Sequence, residues 1–277
     1  MDSPVPPPID HQGVFELALL SDVGTNRPGN EDSCGHFVES PDCVVFVIAD
    51  GVGGYEGGEI ASKIAVDTTL EAFRESPVAW GAAKRLYRAI QRANIEIHNM
   101  AMTVPELGRM ATTITAAAVD KGMVSAVHVG DCRLYLVRHS KITQVTKDHT
   151  MVGERVRMGL MSAKRAREHP ERSMLLRCLG HELIVSMDRI SLPLIQDDRL
   201  LLASDGLYGV LEDSDLETLS RGVPAEDACR ELIQTANQRG TADNLTVAVF
   251  KMIAATEHHP ASGGWRERLA AMFRRGR

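Results

Sequence analysis

Residues 44–59 read VVFVIADGVGGYEGGE: six apolar residues, Val44 to Ala49, run straight into Asp50, and five glycines follow within eight positions. A short apolar run rich in β-branched residues reads as a buried strand. Ending such a strand on a carboxylate and a glycine-rich turn demands a reason. Either the glycines cradle a phosphate with backbone N–H groups, or Asp50 holds a cation that needs the backbone close by.

The remaining 261 positions bound the choice. Hydrophobic residues make up 44% of the 277 and charged residues 25%, the balance of a globular protein with a real core. A formal net charge of −6 speaks against a general grip on nucleic acid. No apolar run approaches the roughly 20 residues of a membrane span. The proline-rich opening MDSPVPPPID lacks the charged and apolar regions of a secretory signal, so residues 1–12 are expected to be a disordered lead-in. Five scattered cysteines without a C-x-x-C read as reduced thiols in a cytoplasmic protein.

Along the chain, strand-like segments come first: VFELALLSD, CGHFVE and CVVFVIAD. Helical spacing then takes over at Ile60, Ile64, Ala65 and Leu70, and again at Leu86, Ile90, Ile97 and Ala101. Four strand-like pieces follow, ATTITAAAVDKG, MVSAVHVGD, RLYLVR and KITQVT, with VDKGMV as a hairpin turn. Residues 148–183 are polar and poorly periodic, an irregular helical excursion. Strands resume at IVSMDRISL and DRLLLASDG, a helix ends near Gly240, and NLTVAVFKM is the last strand. The class is α+β, with mostly antiparallel sheets covered by helices in one domain.

Three aspartates sit at strand ends beside glycine or asparagine: Asp50 in IADGVGG, Asp205 in LLASDGLYG and Asp243 in GTADNLTVAV. A strand end projects its side chain from a rigid scaffold, and carboxylate with carbonyl oxygen suits hard ions such as Mg²⁺ or Mn²⁺. Taken singly, each Asp-Gly is a plain turn; together they point to a cation site. Upstream, GTNRPGNEDS offers Arg27 as a phosphate clamp and Glu31 with Asp32 as groups that order metal-bound water. Asp131 and Arg133 lie at another junction of strands.

In order, RPGNED, DGVGG, GDCR, TKDH, LLRCLG, SDG and DN resemble the motif series of the metal-dependent serine/threonine phosphatases of the PPM or type 2C family, in its bacterial branch, across residues 13–253. The resemblance implies an α-β-β-α sandwich of two central antiparallel sheets with two Mn²⁺ or Mg²⁺ ions at one edge. Asp50 would bridge both ions, Gly51 would give its carbonyl to one, and Asp205 and Asp243 would be further ligands. Glu31 would act through water, with Asp32 and Asn244 in support, and Asp131 would help to hold a third ion. Arg27 would bind the substrate phosphate, and residues 148–180 would form a flap. A water activated by the two ions would attack phosphorus in line. The expected substrates are phosphorylated proteins, opposite a cognate serine/threonine kinase, and a monomer is expected. The rival reading is a phosphatase-fold binding module that turns over weakly or not at all.

The sequence departs from the family pattern at Val52, where many animal relatives have histidine, and at Gly209, where an aspartate is usual; the second bears on the third ion. Other signals fall away. The C-x₅-R of Cys132 to Arg138 encloses a strand pattern instead of a phosphate loop, GVGGYEGGE lacks the Lys-Ser/Thr of a P-loop, and His149 and His169 read as flap surface. In the linker and tail, residues 254–277, the stretch 265–277 carries five arginines and one glutamate, with Trp265, Leu269, Met272 and Phe273 on one helical face. It could dock on the body, a partner or a membrane surface.

Overall fold

The computed structural model describes residues 9–11, 13–52 and 56–254. Twelve strands, β1 to β12, and seven α-helices, α1 to α7, are found among them. The first sheet comprises β1 (Ile9–His11), β2 (Phe15–Asp22), β12 (Leu245–Met252), β11 (Arg199–Ala203), β8 (Arg133–Arg138) and β9 (Lys141–Gln144), in that spatial order. The second comprises β10 (Asp188–Pro193), β7 (Met123–Val129), β6 (Ile114–Asp120), β4 (Cys43–Val52) and β3 (Asp32–Ser40), with the short β5 (Ala111–Thr112) beside β4. Every pairing is antiparallel.

Side-chain alternation along β4 shows how the layers are made. Val44, Phe46 and Ile48 face the other sheet and join Phe15, Leu17, Leu200, Leu202 and Phe250 in a core between the sheets. Phe46 and Phe15 each stack on Phe250, at 5.8 and 5.4 Å between ring centres. Val45, Val47 and Ala49 face the opposite way, onto α1 (Glu56–Glu75) and α2 (Gly81–Thr103), where Phe73, Leu86, Ile90 and Ile97 are buried. On the far side, α5 (Asp205–Tyr208), α6 (Asp213–Ser220) and α7 (Ala225–Gln238) cover the first sheet through Leu207, Leu216, Leu232 and Ile233. The central strands are thus buried on both faces, which is why β4, β6, β11 and β12 are largely apolar runs. The result is the four-layer α-β-β-α sandwich.

Three details differ from the sequence reading, and the expected helical excursion is resolved into its parts. Ile9–His11 pair with Phe15–Leu17 as β1, so part of the expected disordered lead-in is a strand; residues 1–8 and 12 lie outside the described residues. The strand expected from Ile184 starts at Asp188, because Asn94 Nδ2 donates to the Glu182 and Leu183 carbonyls and ties that segment to α2. Helix α6 carried too few apolar residues to be seen, and is held by a capping box between Glu212 and Asp215. The excursion after β9 holds two short helices, α3 (Met151–Arg157) and α4 (Ala163–Arg167), each N-capped by a hydroxyl, Thr150 and Ser162. The tail from residue 255 onward lies outside the described residues.

Candidate metal centre

Between the sheets, the inward-facing series turn polar at one end. On β4 the series Val44, Phe46, Ile48 continues to Asp50, and on β3 Val38 and Cys34 lead back to Asp32. Beyond the Phe15, Leu17, Leu19 series on β2 stands Ser21; beyond Leu200 and Leu202 on β11 stands Ser204; before Ala248 and Phe250 on β12 stands Thr246. Asp32 lies directly opposite Asp50 in the β3–β4 register. Two carboxylates facing each other across a ladder repel. Hence the arrangement costs stability unless positive charge is brought in.

Around that pair stand the other sequence-predicted groups. Asp205 opens α5 at the end of β11, Asp243 and Asn244 precede β12, and Asp131 precedes β8. Withdrawal from water, and then the charges of Asp32, Asp205, Asp131 and Asp243, push the Asp50 carboxyl well above the usual range. Asp131 is raised in the same way, by burial first and then by Asp205. Burial raises Asp32 to about 7, although the Thr246 and Ser204 hydroxyls favour its charged form, and raises Asp205 to about 6. The Oδ2 atom of Asp32 is buried with no hydrogen-bond partner.

The backbone crowds this cluster. A Cβ on Gly51 would stand 2.7 Å from the Glu31 carbonyl oxygen and closer still to the Gly58 carbonyl. Gly51 N donates to Glu31 O at 3.1 Å, and the Glu31 carboxylate lies against Gly58. Three chain segments meet where no side chain could be interposed. That close approach accounts for glycine at 51 and 58. Residues 53–55 lie outside the described residues.

Asn244 fastens the Arg27 loop. Its Oδ1 accepts from Glu31 N at 2.9 Å, and its Nδ2 donates to the Val23 and Gly29 carbonyls, both at 2.9 Å. Arg27, expected at the substrate phosphate, donates from Nη2 to Asp243 Oδ2 at 2.8 Å, while Asp243 Oδ1 accepts from Asn244 N. Two threonines read only as strand residues also hold Asp50: Thr113 Oγ1 accepts from Asp50 N at 3.2 Å, and Thr112 Oγ1 donates to Asp50 O at 2.8 Å. A pair of hydroxyls opening the strand next to the aspartate's own was the available signal. His149 is buried instead of lying on the flap surface; it packs on His128 at 4.6 Å and accepts from Gly130 N at 3.1 Å. His169 is partly exposed.

The fit of hard cations rests on three features of these residues. The donor set is carboxylate and carbonyl oxygen without thiolate or imidazole, the carboxylates are in excess of nearby cations, and one buried carboxylate oxygen is unpartnered. Among the described residues no three His, Cys, Asp or Glu side chains form a ready-made cage. Asp243 in particular is turned to Arg27. Magnesium-like ions keep several waters and need few protein oxygens each, so the fit needs Asp243 to exchange partners, not the fold to change. Cys132 is buried, its Sγ 3.1 Å from Thr113 Oγ1, and burial with the nearby carboxylates holds the thiol well above its usual range, so it has no thiolate character.

Beside the carboxylates opens a cleft of about 880 Å³, lined by Asp131, Asp205 and Asp243 on one side and by flap residues such as Val152, Arg172 and Leu176 on the other. A family model for protein phosphatase 2C matches residues 25–249. The chain belongs to the protein phosphatase 2C family. It is 35% identical to the serine/threonine phosphatase stp of Listeria monocytogenes over 236 residues, 83% of this chain and 93% of that protein. The crystal structure of the Mycobacterium tuberculosis serine/threonine phosphatase PstP/Ppp superposes with a TM-score of 0.77 at 32% identity, covering 86% of this chain and 99% of that one. The catalytic domain of PstP in complex with two manganese ions gives a TM-score of 0.76 at 30% identity, with 87% and 99% covered. As a member of the phosphatase 2C family, the chain has its carboxylate-rich edge between the two sheets; no helix among its described residues is long and apolar enough to cross a membrane.

Proposed function

We propose that this chain is a metal-dependent protein serine/threonine phosphatase whose working groups are the residues at the polar end of the sandwich. The observation that carries the reading is the convergence of mutually repelling carboxylates around Asp50, with Asp131, Asp205 and Asp243 lining a cleft that arginines also line. Asp50, Asp205, Asp243 and the Gly51 carbonyl would hold two divalent cations, Mn²⁺ or Mg²⁺, with Glu31 acting through water. Asp131 is the candidate for a third; Gly209 lines the cleft beside it and offers no side chain.

Hard cations, when bound, supply positive charge that polarises a phosphoryl group and acidifies water. The chain's own part is placement. Thr112 and Thr113 hold the Asp50 backbone and Asn244 holds the loop of Arg27 and Glu31; the carboxylates would give up any protons on binding a cation. Arg27 is bonded to Asp243, a lining residue of the cleft, and that hydrogen bond holds its guanidinium charged. Asp243, were it to bind a cation, would leave the Arg27 fork free for two phosphoryl oxygens. Val52, paired with Ala111 at the end of β4, offers no proton to a leaving group, so water or another group would have to supply it. The substrates are phosphorylated proteins, in opposition to a serine/threonine kinase. Intact carboxylates at positions 50, 205 and 243 favour turnover over a binding module.

The test is hydrolysis of a phosphoserine peptide with Mn²⁺ and with excess chelator. Turnover that needs the ion and returns when it is restored is expected. Turnover indifferent to chelation would count against the reading.

A further inference from the structure

Six basic side chains line the cleft: Arg133, Lys147, Arg157, Arg167, Arg172 and Arg177. Four are paired with the protein's own carboxylates. Arg133 meets Asp148 at 2.7 Å, Arg167 meets Asp213 at 3.3 Å, Arg177 meets Asp188 at 3.0 Å, and Arg157 meets Glu154. Lys147 and Arg172 have no such partner among the described residues. Of these two, Arg172 carries the planar guanidinium fork, and it lines the cleft on the flap side next to Ser173 and Leu176.

Arg172 sits in the turn after α4, and its backbone is fixed while its head is exposed. Its N–H donates to His169 O at 3.1 Å, and the segment beyond it returns along α3 through Met151 N to Met174 O at 2.9 Å and Leu176 N to His149 O at 2.7 Å. Met174 and Leu176, on the same lip, are about half exposed, at 53% and 49%. A phosphorylated side chain reaching the carboxylate side of the cleft, where Asp243 holds Arg27, leaves its neighbours in sequence to run along this lip. An unpaired guanidinium there presents a planar fork suited to a carboxylate or a phosphate.

We propose that Arg172 is a specificity-determining residue that binds an anionic group of the substrate chain beside the phosphorylated residue, either an Asp or Glu carboxylate or a second phosphate. The proposal rests on the phosphatase reading above. It makes the flap selective for acidic phosphopeptides, by attraction at the rim and not by chemistry at the floor.

Three peptides sharing one phosphothreonine, flanked by Glu, by phosphoserine or by Gln, are compared with the full chain in Mn²⁺. Wild type should favour the anionic flanks over Gln by about 3- to 10-fold in kcat/KM, through KM, and less so in 0.5 M salt. Preference for both anionic peptides would show that a carboxylate suffices; preference for the doubly phosphorylated one alone would identify the second phosphate. The preference should fall below about twofold in Arg172→Ala, persist in part in Arg172→Lys, and stay in Lys164→Ala, a flap cation away from the cleft. No preference in wild type, or one that survives Arg172→Ala, would overturn the proposal. An equal loss on a simple aryl phosphate would overturn it too, by placing Arg172 on the scissile phosphoryl group. Failure to hydrolyse any of the three peptides would overturn the phosphatase reading and this proposal with it.

Discussion

Arg27 and Asp243 hold each other, and each is wanted elsewhere: the carboxylate by a cation, the guanidinium by a phosphate. The pair is partly exposed, at 40% and 36% of the side chains, so the bond contributes little to stability and can be exchanged. Arg27→Ala therefore separates two effects. It should lower kcat/KM on phosphopeptides by about 30- to 1000-fold, the loss of roughly 2–4 kcal/mol in the transition state. Because Asp243 is released, Mn²⁺ affinity should hold or rise. Arg27→Lys should recover only part of the rate, since an ammonium has no fork. Full activity of Arg27→Ala with weakened metal binding would show that the arginine serves Asp243 and not the phosphate.

At the scale of the element, β4 was the most legible part of the chain. Its apolar run announced burial, and period-two alternation carries Asp50 to the inter-sheet side behind Phe46 and Ile48. Asp205 and Asp243 were legible for the same reason, as carboxylates at the ends of apolar strands. The supports of Asp50 were not, because Thr112 and Thr113 are ordinary strand residues until the β4–β5 pairing brings them alongside. His149 was misread because its packing partner, His128, lies 21 positions away on β7, and the Arg27–Asp243 bond spans 216 positions. Local pattern carries no information about such contacts. The glycine after Asp50 can be tested directly. In Gly51→Ala the new methyl meets the Glu31 and Gly58 carbonyls, both backbone, so it can be accommodated only by moving one of the three segments. A loss of about 2 kcal/mol is expected, seen as a fall of about 4–8 °C in Tm for a domain of this size, with weaker Mn²⁺ binding. An unchanged Tm would mean that the segments yield freely and that the crowding has no structural weight.

The whole molecule divides its labour along the strands. One end of the inter-sheet layer, around the Phe46 and Phe250 stack, is a dry core; the other is a cluster of carboxylates that a folded chain would avoid without compensation. Strand β12 joins the two, opening beside Asn244 and closing at Met252, where Ile253 N bonds to Val14 O. Ala254, the last described residue, thus lies at the end remote from the carboxylates. The carboxylate cluster is proposed to hold cations that drive phosphoester hydrolysis. The most direct measurement is a calorimetric Mn²⁺ titration of wild type and Asp50→Asn at pH 7.5, with phosphopeptide turnover followed on the same samples. Two ions per wild-type chain are predicted, with the loss of at least one and of nearly all turnover in a variant that remains folded. Wild-type turnover in Asp50→Asn with its metal binding intact would contradict it.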